Sequence, residues 1–152
     1  MDEITAEQRR RLAVDCFNRA WTLLRLETRT PEQDDELIHC AHASRHHWGE
    51  AGTAANRGRG EWQCSRVYAV LGRGEPALHH AGRCLALVEQ HPDAMEDWDL
   101  PFAYEALARA AAVAGDAAAA RDWLERARRA GERIAEEEER ELLASDLATI
   151  EI

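Results

Sequence analysis

Apolar residues recur along this chain at intervals of three and four, the spacing that gathers side chains on one face of an α-helix, and the two-residue rhythm of a strand finds little support. Leu12, Cys16, Ala20, Leu23 and Leu24, widened by Phe17 and Trp21, predict a first helix that starts at a Thr5/Gln8 capping box and runs to near Thr28. Thr30-Pro31-Glu32-Gln33 opens a second, whose stripe is Leu37, Ile38, Ala41, Arg45 and Trp48 and which Gly49 and Gly52 end. From Gly49 to Gly60 the reading is a loop that tightens into helix. Thr53 is a fair cap, but Gly58 and Gly60 each cost about 1 kcal/mol inside a helix.

A third helix then carries Trp62, Val67, Tyr68 and Leu71 from Glu61 onward, and Gly72 to Glu75 form a turn before a restart at Pro76. Leu78, Ala81, Leu85 and Val88 mark the fourth helix, which ends at His91-Pro92; the acidic stretch from Asp93 to Asp99 reads as a solvated connector. Asp99 starts a fifth helix that covers Phe102 to Ala114, and Gly115-Asp116 breaks it. Ala120, Trp123, Leu124, Ala127 and Ile134 define a sixth, and a last helix spans roughly Glu137 to Thr149. The expectation is an all-α single domain of seven helices, since 152 residues suit one core.

Two of the turns begin with glycine, Gly72 and Gly115, and aligning them superposes the flanking pattern at a spacing of 43 residues. Cys64-Ser65 matches Leu107-Ala108 before the turn; Ala77, Ala81 and Cys84 match Ala120, Leu124 and Ala127 after it. Tyr104, Tyr68 and the Gly115-Asp116 turn add to this pattern, which resembles the tetratricopeptide repeat over about residues 60 to 135. The departures are Glu61 where an aromatic belongs, with Trp62 one place late, Ala111 for a bulky residue, and Glu89 and Glu132 in place of a closing Pro. The 43-residue spacing also exceeds the family's roughly 34.

The resemblance implies a tetratricopeptide-like stack of antiparallel hairpins: residues 1–50 as an N-terminal pair, 60–92 and 99–135 as repeat-like hairpins, and 136–152 as a capping helix. It also implies a concave groove lined by the first helix of each hairpin. Carried onto this chain, that face holds Trp62 and Arg66, then Phe102, Glu105 and Arg109, with His42 and Arg45 completing the wall. Arginine grips a carboxylate or phosphate through paired hydrogen bonds, and the aromatic rings receive apolar side chains. The competing expectation for Arg66, Glu105 and Arg109 is an internal ion-pair network that joins hairpins.

Charge narrows the partners. The net charge of −10 disfavours nucleic acid and anionic membrane, and the absence of Lys among the nineteen basic residues points to a GC-rich coding sequence. No leader or membrane-spanning stretch is read, so the expected compartment is the cytoplasm, and Cys16, Cys40, Cys64 and Cys84 are expected to be reduced thiols within helices. His42 and His46 stand one helical turn apart and are the candidate metal ligands, although two ligands do not complete a site. Ser44, Ser65 and Ser145 lie in no nucleophile elbow, and neither Gly72-Arg73-Gly74 nor Gly58-Arg59-Gly60 has the strand and Lys-Ser/Thr of a phosphate loop. The expected function is therefore non-catalytic binding of a protein or peptide, or of a second copy of the chain, without a cofactor. A small-molecule or metal-dependent enzyme using groove His and Glu residues is the alternative.

Overall fold

A computed structural model describes residues 2–152. Among them are seven α-helices and no strand: α1 (Ala6–Leu24), α2 (Pro31–Ala51), α3 (Ala54–Val70), α4 (Gly74–Gln90), α5 (Asp99–Val113), α6 (Ala117–Gly131) and α7 (Glu137–Ala148), with a 3-10 turn over Pro92–Ala94. Consecutive helices pair as antiparallel hairpins, α1 with α2, α3 with α4 and α5 with α6. Each hairpin's second helix packs on the next hairpin's first, and α3 and α5 also touch.

Small residues set these distances. Ala13, Ala20, Ala77, Ala81, Ala120 and Ala127 are shut off from solvent, and Ser65 donates a hydrogen bond to the Ala77 carbonyl at 2.9 Å, which brings α3 and α4 into backbone contact. Ser44 does the same to Ala13 at 2.7 Å between α2 and α1. Gly72 and Gly115 both adopt positive φ (76° and 86°), which an L side chain resists, so the two aligned turns are alike in backbone as well as in sequence.

The structure departs from the sequence pattern at the end of α1, the start of α3 and the burial of Asp99. Helix α1 stops at Leu24, because Arg29 folds back to donate to the Leu23 carbonyl and to Asp34, closing a turn that contains no glycine. Helix α3 begins at Ala54 behind a Thr53/Asn56 capping box and runs straight through Gly58 and Gly60. A methyl group at Gly60 would stand 3.0 Å from Arg45 Cδ, so glycine here lets α2 lie close to α3. Of the acids in the connector, Asp93, Glu96 and Asp97 are exposed, with Asp97 also accepting the Ala135 backbone N–H at 2.9 Å, whereas Asp99 is buried against Arg59 at the start of α5.

Candidate functional site

The first helices of successive hairpins, α1, α3 and α5, with α7 beside them, enclose an open groove of about 410 Å³. Phe17 and Trp21 enter it from α1, Trp62 from α3, Phe102 from α5 and Leu142 from α7. Trp21 and Trp62 lie 5.7 Å apart at 34°, and Phe102 meets Trp62 edge-on at 6.3 Å. Arg25, Arg59 and Arg66 stand along this apolar floor, with Asp146 opposite.

The arginines follow a rule of placement. Trp21 and Arg25, Trp62 and Arg66, and Glu105 and Arg109 each stand four residues apart along successive first helices, Arg25 as the residue that caps α1, so each arginine sits one turn beyond the same kind of position. Arg25 lies over Trp21 at 5.6 Å and Arg66 over Trp62 at 5.0 Å, where the ring face attracts the cation. Glu105 replaces the third ring, and it is fully buried. Its Oε1 accepts Trp62 Nε1–H at 3.0 Å, and its Oε2 accepts Arg109 Nε–H at 2.8 Å and Arg66 at 3.4 Å. Arg66 also reaches Asp146 at 3.1 Å, and Arg109 donates to the Asp146 carbonyl and to Thr149, each at 2.9 Å. The carboxylate is thus the hub of a network that ties α3, α5 and α7 together beneath the groove. Arg25 forms no ion pair among the described residues.

Of the residues expected to form the groove, Trp62, Arg66 and Phe102 line it. Glu105 lies below it as the ion-pair hub, and Arg109 lines a separate depression with Val70, Val113 and Ile150. His42 and Arg45 do not complete the wall. They sit on a second helix, which packs on the opposite side of α3. There Arg45 donates to Glu61 at 3.1 Å, His80 Nδ1 meets the other Glu61 oxygen at 2.7 Å, and Tyr68 stacks on His80 and lies 2.8 Å from His42 Nε2. Both nitrogens of His42 are turned to α3, since Nδ1 is 4.0 Å from Cys64 Sγ. His46 instead packs edge-on against His47, and among the described residues no group of three His, Cys, Asp or Glu is arranged to hold a metal ion.

This second cluster has a pH signature. Burial works to raise the Glu61 pKa, but the hydrogen bond and charge of His80, with Arg45 beside it, hold it below the usual glutamate value of 4.5. Burial, with the neighbouring His80, lowers the His42 pKa below 6.5, which suits a neutral ring that accepts from Tyr68. Both shifts make the unfolded chain bind more protons than the folded one as the pH falls. Urea unfolding should therefore show stability declining below pH 6.5 as His42 is forced to protonate, and again below pH 4.5 as Glu61 does. His42→Gln should lessen the first decline, leaving the part that belongs to His47, whose pKa burial also lowers, and leave the second unchanged.

Arg59 holds Asp99 with two hydrogen bonds at 2.9 and 3.1 Å and lies 4.4 Å over Trp98, which fixes the start of α5 against α3. Phe17, Trp21, Arg25, Arg59, Leu142 and Asp146 were not among the groove residues expected from the sequence. The signal for two of them is the Trp-x-x-x-Arg spacing shared by Trp21/Arg25 and Trp62/Arg66. No helix of the described residues is long and apolar enough to cross a membrane. Compared with protein-family models, with characterised proteins and with solved structures, the chain finds no match.

Proposed function

We propose that the protein is a non-catalytic binding module, built on the plan of a tetratricopeptide-like array, whose groove receives a peptide segment of a partner protein. The observation that carries this reading is the ladder of Trp21, Trp62 and Phe102 on three consecutive first helices, half-buried along an open groove beside Arg25, which forms no ion pair among the described residues. Rigid aromatic rings lose little rotamer freedom on contact, and an arginine next to them adds direction to an otherwise apolar surface. The arginines deeper in the site are already engaged by Glu105, Asp146 and Asp99, so they shape the groove rather than supply open cations. No nucleophile and base converge in the groove, whose titratable lining is Arg25, Arg59, Arg66 and Asp146.

Selection from a displayed library of random peptides tests the reading. Peptides bound by the wild-type domain should share an apolar anchor, quench the fluorescence of the groove tryptophans, and lose at least tenfold in affinity on Trp21→Ala, which removes a ring without touching the Glu105 network. Enrichment of no peptide, or equal binding by Trp21→Ala, would remove the groove as the interface.

A further inference from the structure

The outward face of the first hairpin, on the side away from α3, carries a pairing that the groove does not use. Three cross-helix contacts give its register. Arg19 of α1 binds Glu36 of α2 at 2.8 Å, Ser44 bonds the Ala13 carbonyl at 2.7 Å, and Arg9 lies 3.4 Å from His47. In an antiparallel pair the residue numbers of facing positions sum to a constant. Arg19 with Glu36 and Arg9 with His47 bracket Cys16 and Cys40, which fall within one residue of the same register. Residues 9, 16 and 19 lie on one stripe of α1, and 36, 40 and 47 on one stripe of α2, because three, four and seven residues return to the same helical face. The register therefore sets the two half-buried cysteines at facing positions across the seam, between an ion pair on one side and an Arg–His contact on the other.

We propose that Cys16 and Cys40 form an oxidisable dithiol that a small-molecule disulfide converts to an intramolecular Cys16–Cys40 bond stapling α1 to α2. One thiol loses its proton and its thiolate attacks a sulfur of the small disulfide, expelling one small thiolate and leaving a mixed disulfide on the protein. The facing cysteine, also deprotonated, then attacks the protein sulfur of that bond and expels the second small thiolate. Two protein S–H groups become one S–S bond, and two electrons and two protons leave with the two small thiols.

The other cysteines do not compete. Cys64 and Cys84 are buried, and burial pushes the Cys64 thiol up to about 12 and raises that of Cys84 as well. Burial raises the Cys16 pKa with help from Asp15; it also raises that of Cys40, where the charge of Cys16 and then of Glu36 add and Arg19 opposes. The charge of Cys16 acting on Cys40 agrees with the register that places the two side by side. Closure should therefore be slow at neutral pH and accelerate as the pH rises.

The experiment incubates the reduced full chain with glutathione disulfide at about pH 8, quenches by alkylation and maps the peptides. The Cys16 and Cys40 peptides should be joined, with a mass loss of about 2 Da, while Cys64 and Cys84 stay unmodified until denaturant is added. Cys16→Ser should trap glutathione on Cys40, and Cys40→Ser should trap it on Cys16, because no resolving thiol remains. Oxidised wild type should unfold at higher urea concentration than reduced wild type, and reductant should reverse the difference. Stable glutathione on either cysteine of the wild type without the internal bond, a bond between two chains, or no reaction in native buffer would each overturn the proposal.

Discussion

Glu105→Ala should destabilise the domain by about 3–5 kcal/mol, since it leaves two largely buried guanidinium groups, those of Arg66 and Arg109, without their shared carboxylate. That is a large part of the roughly 5–15 kcal/mol that holds a domain folded. Trp62 also loses the acceptor of its indole N–H. Urea unfolding followed by circular dichroism measures the loss. Glu105→Gln separates the causes, for the amide still offers Trp62 an oxygen but carries no charge, and it should recover a minor part of the stability. A Gln variant as stable as wild type would show that the ion pairs contribute nothing. A double-mutant cycle of Glu105→Ala with Arg109→Ala should return a coupling of about 0.5–3 kcal/mol.

Two glycine replacements should move stability in opposite directions. At Gly74, the first residue of α4, a methyl group would fall 2.6 Å from Ala114 Cα and 2.8 Å from its backbone nitrogen, where no side chain can swing aside. Gly74→Ala should therefore force α4 away from the α5–α6 turn and cost about 1–3 kcal/mol or more. Gly82 lies inside the same helix, exposed, with nothing within 4 Å of the added carbon. Gly82→Ala should stabilise by about 0.5–1 kcal/mol, because alanine loses less backbone freedom on entering a helix. Thermal unfolding of both variants under one set of conditions reads the two signs. Equal effects would mean that the close approach of α4 to Ala114 is not what Gly74 serves.

Local chemistry was the legible part of the fold. The capping boxes at Thr5 and Thr30 open helices as the sequence pattern predicts, and Ala77, Ala120 and Ala127 are buried where helices meet. The early start of α3 was hidden because Gly58 and Gly60 weaken a helix in isolation, whereas in the folded chain Gly60 makes room for Arg45. Tertiary packing outweighed propensity there. The first hairpin's share of the groove was hidden for another reason. The repeat was aligned on turns led by glycine, and the α1–α2 turn is closed by Arg29 instead, so the match of Trp21/Arg25 with Trp62/Arg66 lay outside the frame. His42 and Arg45 share helical faces with apolar residues, and periodicity alone cannot say whether such a face meets the groove or the next hairpin.

In a stacked array each unit leans on its immediate neighbours, so an end unit ought to fray alone. Here Arg66 on α3 binds Asp146 on α7, 80 residues further along the chain, and so reaches past a whole hairpin to the terminal helix. Detachment of α7 strips contacts from the middle of the molecule, and amide exchange in α7 should slow to the pace of α3 and α5 rather than run ahead of them.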